Sequence, residues 1–147
     1  YWKNYVFQSL MATGAIFIVI YFLSLQHAVI MASLGATTFI VFAMPESITA
    51  QTRNVIGGHV VGLFTGFLFS LIPHPSLLYS TLIFALAVGT SMFVMVVTDT
   101  EHPPAAGTAL GVVMTGITLP VLIVVVGSVI ILSLIHRLFK PFLRDLT

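Results

Sequence analysis

The stretch Asp99-Thr100-Glu101-His102-Pro103-Pro104-Ala105-Ala106-Gly107-Thr108-Ala109-Leu110-Gly111 sets two carboxylates, a histidine and a proline pair directly before a run of tiny residues. Almost everything on either side of it is hydrocarbon. Ionisable groups are expensive inside a bilayer, so their clustering between apolar runs marks a functional candidate. A Pro-Pro pair is excluded from a helix interior but suits a helix start. The segment therefore reads as the mouth of a helix that begins at or within a membrane.

Composition supports that solvent. Of 147 residues, 59% are hydrophobic and 6% are charged, against about 25% charged in soluble domains. Mean hydropathy is +1.15. In lipid every backbone polar group must pair internally, which leaves helix bundles and closed barrels. A barrel needs short strands of alternating polarity, whereas the apolar runs here are long and continuous. The expectation is an all-α, polytopic transmembrane bundle forming one domain over residues 1–147. The absence of cysteine removes disulfides, thiolate metal sites and a Cys nucleophile. A net charge of +1 without a basic patch excludes nucleic acid as a partner. The first run is too long for a cleaved signal and lacks a small-residue cleavage site, so it is read as a span.

Charge-free runs give six segments: Val6–Leu25, Ala28–Met44, Val55–Ile72, Leu77–Thr98, Pro103–Leu119 and Pro120–Ile135. The second (28–44) and fifth (103–119) are short for a span of about 20 residues. A turn is expected near Gly116-Ile-Thr-Leu-Pro120, because Pro103 to Ile135 as one helix would measure about 50 Å. Two topologies follow: six crossings, or four with the short segments re-entrant. Six crossings put Lys3, Arg53, Arg137, Lys140 and Arg144 on one side, and the positive-inside rule favours that arrangement with both termini cytoplasmic.

The two halves, 1–72 and 74–137, resemble each other. His27-Ala-Val-Ile-Met-Ala-Ser-Leu-Gly35 overlays His102 to Gly111 with one gap, matching His27 with His102, Ser33 with Thr108, Leu34 with Leu110 and Gly35 with Gly111. Three segments per half imply an inverted 3+3 repeat, a plan that places binding sites near the midplane. Small residues recur at four-residue spacing: Gly58, Gly62 and Gly66 on the third segment, Gly107, Gly111 and Thr115 on the fifth, Ala32 and Ala36 on the second. Such faces let helix backbones approach closely.

The site candidates follow from chemistry. His102, Pro103, Pro104, Ala105, Gly107 and Thr108 form a helix start whose free amides and dipole attract an anion, with Thr100 or Asp99 as cap. Arg53 and Asn54 open the third segment, with Thr49 or Thr52 as cap. Arg53 is either a headgroup anchor or a cation that draws anions and pairs with Glu46, Asp99 or Glu101. His59, inside a span, either lines a path and exchanges protons or is a bonded core histidine. His27 and Ser33 mirror the second-half site. Thr37 and Thr38 are expected to bond their own backbone, and His74 and His136 to anchor at the interface. Asp99, Glu101 and His102 are the proton-coupling or gating candidates. No cofactor or metal site is expected, and no nucleophile-base-acid arrangement of an enzyme is evident.

Asp99 to Leu110 resembles the signature of the HPP family of integral membrane proteins. Ser33-Leu-Gly-Ala-Thr-Thr38, Pro45 and Gln51-Thr-Arg-Asn-Val-Ile-Gly-Gly-His59 are similar to that family's other blocks, so the resemblance runs from about Gln26 to Gly116. It implies a transporter, with four spans by the usual description of the family. It also implies nitrite as the leading substrate, since plant members of the chloroplast envelope are associated with nitrite transport.

The resulting expectation is a transporter or channel for a small inorganic anion, coupled to protons, in a bacterial inner membrane or an organelle envelope. A bundle of this size has little interior, which favours a homo-oligomer. The competing reading is a non-transporting membrane subunit that scaffolds a larger assembly.

Overall fold

Six helices in chain order account for the bundle: α1 (Trp2–Phe22), α2 (Ala28–Ala43), α3 (Thr52–Ser70), α4 (Leu77–Val97), α5 (Pro103–Thr115) and α6 (Leu119–Phe139). The structure is a computed structural model and describes residues 2–22 and 27–146. No strand occurs among the described residues. Each helix coincides with one apolar run of the sequence; the expected end of the first run at Leu25 lies outside the described residues. Two helical stretches, Leu77–Val97 and Leu119–Phe142, are long and apolar enough to cross a membrane by length and composition. α2 is a shorter apolar helix, and α5, at 13 residues, would measure about 20 Å.

Local chemistry sets the boundaries. Ser76 and Thr118 accept the amides of Tyr79 and Val121 at the starts of α4 and α6. Pro103 and Pro104 occupy the first positions of α5. Gly116, at φ 76°, ends α5 and turns the chain into α6, within the expected Gly116–Pro120 window. At the end of α4 the amides of Asp99 and Thr100 bond the carbonyls of Val96 and Met95. That is a Schellman closure with Asp99, rather than glycine, in the left-handed region at φ 54°.

The helices alternate in direction, and every charged residue collects at one end. Asn4 at the start of α1 donates to the Phe142 carbonyl beyond α6. The Gln8 amide bridges the carbonyls of Phe42 and Arg144, and the Leu146 amide donates to Ala43. On the same side Arg53 pairs with Asp99 and Asn54 donates to the Glu101 carbonyl. The starts of α1, α3 and α5 and the ends of α2, α4 and α6 therefore lie together. Lys3, Glu46, Arg53, Asp99, Glu101, Arg137, Lys140, Arg144 and Asp145 all fall at this end. The opposite end, with His74 and the Gly116–Thr118 turn, carries no formal charge.

α5 is wedged between α2, α3 and α4. The glycine faces explain the wedge, and the partners differ from face to face. Gly58, Gly62 and Gly66 of α3 meet α5: a Cβ at Gly66 would sit 2.7 Å from the Ala109 carbonyl oxygen. Gly107 and Gly111 of α5 turn the other way, onto Ser33 and Ile30 of α2. Ala32 and Ala36, expected on a packing face, are exposed instead. α2 buries Ser33, Leu34, Thr37 and Thr38 in the bundle. The remaining packing is α1 on α2, α4 on α5, α3 on α4, α1 on α6, α2 on α6 and α3 on α6. Outer faces carry bare hydrocarbon such as Phe17, Leu77, Phe93 and Ile123.

Candidate functional site

Five buried polar side chains meet where α2, α3 and α5 cross. The His102 imidazole is wholly buried and points into the bundle. Its Nδ1–H donates to the Thr49 carbonyl at 2.8 Å. Its Nε2 lies 2.9 Å from Thr37 Oγ1. The same hydroxyl lies 2.8 Å from Nε2 of His59, and His59 Nδ1 lies 2.8 Å from Thr108 Oγ1. Thr108 meets Ser33 Oγ at 2.8 Å, and Ser33 donates to the Pro104 carbonyl. The two rings tilt at 52° with centroids 5.1 Å apart. No group of three or more His, Asp or Glu side chains converges among the described residues, so the imidazoles face hydroxyls and carbonyls.

Helix geometry builds this chain. Ser33 and Thr37 share a face of α2 at four-residue spacing, as do Pro104 and Thr108 on α5. Gly58 lets α3 approach the His102 backbone: a Cβ there would lie 2.6 Å from His102 Cβ. Every polar member bonds another element, which offsets the cost of burying it.

Exposed charged groups and the buried Asn54 surround the start of α5. Arg53 and Asp99 pair at 2.7 Å with most of both side chains exposed, and Arg53 also donates to the Thr98 carbonyl at 3.0 Å. Asn54 ties α3 to the loop through the Glu101 carbonyl. Glu101, His102, Pro103 and Ala106 line a cavity of about 210 Å³ closed on its other side by Met92, Met95 and Val96. The cavity lies beside the His102 residue at the start of α5.

Most residues expected in the site converge here: His102, Pro104, Thr108, His59 and Ser33 in the buried chain, and Arg53, Asn54, Asp99, Glu101 and Pro103 around its mouth. Ala105 and Gly107 act as packing surfaces against α3 and Ser33. His27, at the start of α2, lies at the end remote from His102, since Thr37 ten residues on is the residue that reaches it. The free amides expected at the start of α5 are largely absent. Prolines 103 and 104 have no N–H, and the Ala105 amide donates to the His102 carbonyl. His102 itself is the N-cap, without a side-chain cap bond; Thr100 pairs with Thr98 instead. Likewise Gln51 caps α3, and the Thr49 hydroxyl pairs with Ser47.

Two members were not expected. Thr37 bonds its own backbone at Ser33 but also joins both histidines. The Thr49 carbonyl holds His102. The spacing of Ser33 and Thr37 was the available signal for the first; nothing in the sequence marks a carbonyl. His136, expected at the interface, is buried and donates from Nε2 to the Pro45 carbonyl at 2.8 Å. His74 sits against Phe84 and its own Ile72 carbonyl.

Comparison with known proteins places the chain among membrane proteins. A Dictyostelium discoideum protein named as a transmembrane protein is 36% identical over 96 residues, covering 63% of this chain and 32% of its own length. A second such protein from the same organism is 31% identical over 86 residues, covering 58% of this chain and 28% of its own length. The chain thus spans about a third of the length of the relatives it matches. No solved structure matches it. Residues 2–143 match the transmembrane region of HPP proteins. With that match covering nearly all of the chain, the protein belongs to the HPP family of integral membrane proteins.

Proposed function

We propose that this chain is the membrane part of a transporter for a small inorganic anion, nitrite first among the candidates, moved together with a proton. The observation that carries the reading is the buried chain of two imidazoles and three hydroxyls, joined through His102 to a cavity at the charged rim. Such a chain is costly to keep in an apolar bundle, which marks it as a functional candidate. Nitrite plus a proton is neutral, so joint movement lowers the cost of crossing a low-dielectric region. The Arg53–Asp99 pairing offsets one of the acids that would otherwise repel an anion at the mouth.

Six crossings fit the alternation of the helices and the gathering of all charges at one end, which the positive-inside rule assigns to the cytoplasm together with both ends of the chain. An inverted 3+3 repeat is supported by the packing. Exchanging α1 with α4, α2 with α5 and α3 with α6 maps each observed helix pair onto another observed pair. Ser33 and Thr108, equivalent in the two halves, touch each other, as residues near a two-fold axis would. The unpartnered hydrocarbon of the outer faces suits lipid and further copies of the chain in a homo-oligomer.

The test is nitrite flux into liposomes that contain only this protein, measured between about pH 5.5 and about pH 8. Flux that rises as the external pH falls, and that is lost in His102→Ala, is expected. A flux independent of pH removes the coupling. No flux of any anion favours the scaffolding role.

A further inference from the structure

The buried polar chain ends in an acceptor at both ends, and that fixes how many protons it needs. Its members run Thr49 carbonyl, His102, Thr37, His59, Thr108, Ser33, Pro104 carbonyl, so five side chains make six contacts. A neutral imidazole supplies one N–H and a hydroxyl one O–H, while a carbonyl supplies none. The neutral chain therefore has five hydrogens for these six contacts. The longer contact of Thr37 Oγ1 to the Ser33 carbonyl, at 3.1 Å, adds an acceptor and only deepens the shortfall.

We infer that the His59–Thr37–His102 chain is a single-proton store, complete when it holds one proton beyond its neutral members, and that Thr37 passes this proton between the two rings. Two arrangements fill all six contacts. In one, His102 carries both ring protons, its Nε2–H donates to Thr37, and the Thr37 hydroxyl donates to Nε2 of His59. In the other, the Nε2 proton of His102 has moved to Thr37 Oγ1 and the former Thr37 proton has moved to His59 Nε2. His102 is then neutral, His59 carries both protons, and the hydroxyl is intact but reversed. His102 Nδ1–H stays on Thr49, and the bonds from His59 Nδ1 through Thr108 and Ser33 to Pro104 do not change. A second extra proton would set two imidazolium cations with ring centroids 5.1 Å apart.

The surroundings suit exchange at one end. Among the groups around the chain, α2 supplies Thr37 between the rings and Ser33 beside Thr108, α3 supplies Asn54 at the Glu101 carbonyl, and α4 supplies Met92 and Met95 to the cavity beside His102, none of them titratable in this range. The titratable groups at the mouth are Asp99, held by Arg53, and Glu101, which shares the cavity with His102. Glu101 is thus the acid that shares a cavity with His102. This deepens the transport reading, since it names the carrier of the coupled proton.

Nitrogen-15 NMR of the labelled protein in lipid bilayers, from about pH 8 to about pH 4, tests the inference without any flux measurement. Expected is uptake of one proton in total, seen as joint changes at Nε2 of His59 and His102 with a common midpoint. Thr37→Ser should preserve this behaviour and Thr37→Val should separate the two rings. Fixed neutral tautomers throughout the range, or two independent whole-proton uptakes in the unaltered protein, would overturn it. A shared proton in a protein that carries no nitrite leaves the store standing and removes the transport reading; nitrite flux without a shared proton does the reverse.

Discussion

Gly58 of α3 stands directly against the Cβ of His102, with no room for a side chain between them. The nearest group is the Cβ of His102, tied to the backbone on one side and to a ring held at both nitrogens on the other, so it cannot swing away. Gly58→Ala should therefore push α3 from α5 and cost about 1–3 kcal/mol, the usual range for overpacking. It should also break at least one bond of His102 and abolish flux. Gly89→Ala and Gly127→Ala, where nothing lies within 4 Å of the added carbon, should be neutral or slightly stabilising. Unfolding of the three variants in detergent, read beside flux, checks the contrast.

Thr37 and its neighbour Thr38 offer a second contrast. Thr38 bonds only the Leu34 carbonyl of its own helix, whereas Thr37 links two rings. Thr37→Val leaves two buried imidazole nitrogens without partners, at about 1–3 kcal/mol for each unsatisfied group. Thr38→Val should change stability by well under that and leave flux intact. Equal effects of the two substitutions would mean that the link between the rings has no role.

The end of α4 should respond to backbone geometry more than to charge. Asp99 holds a positive φ that favours glycine or asparagine. Asp99→Asn should fold as well as the parent, and Asp99→Val should lose about 1–2 kcal/mol through strain. Arg53→Gln removes the exposed ion pair and should cost less than about 1 kcal/mol. It should nevertheless lower anion flux at low ionic strength, and the deficit should shrink as salt screens the rim. A deficit that is the same at all salt concentrations would place Arg53 in the structure rather than in the attraction of anions.

The helices were legible because lipid leaves so little freedom: each apolar run had to become a helix, and each proline or charge had to punctuate it. The glycine faces were legible as faces, but spacing alone could not tell that α3 turns its glycines to α5 while α5 turns its own to α2. Of the site, His102, His59, Ser33 and Thr108 could be named from their types and settings. The expected helix-end anion site was misjudged for a physical reason. The prolines that start α5 also delete the amides that make a helix end attractive. Thr37 escaped because a hydroxyl inside a helix ordinarily bonds its own backbone, and here it does that as well as joining the histidines.

Topology gives the last test. The protein has no cysteine, so single cysteines report unambiguously. Thr49 and Thr100 lie at the charged end, beside the paired starts of α3 and α5, while Pro75 lies in the turn between α3 and α4 at the other end. With six crossings, cysteines at 49 and 100 should be labelled from the cytoplasmic side by an impermeant reagent, and a cysteine at 75 from the opposite side. With four crossings and a re-entrant α2 and α5, positions 49 and 100 would both react from the side opposite the cytoplasm, and position 75 from the cytoplasmic side. That outcome would leave the nine charges divided between two aqueous phases. The assignment of the single charged end to the cytoplasm would then have to be abandoned.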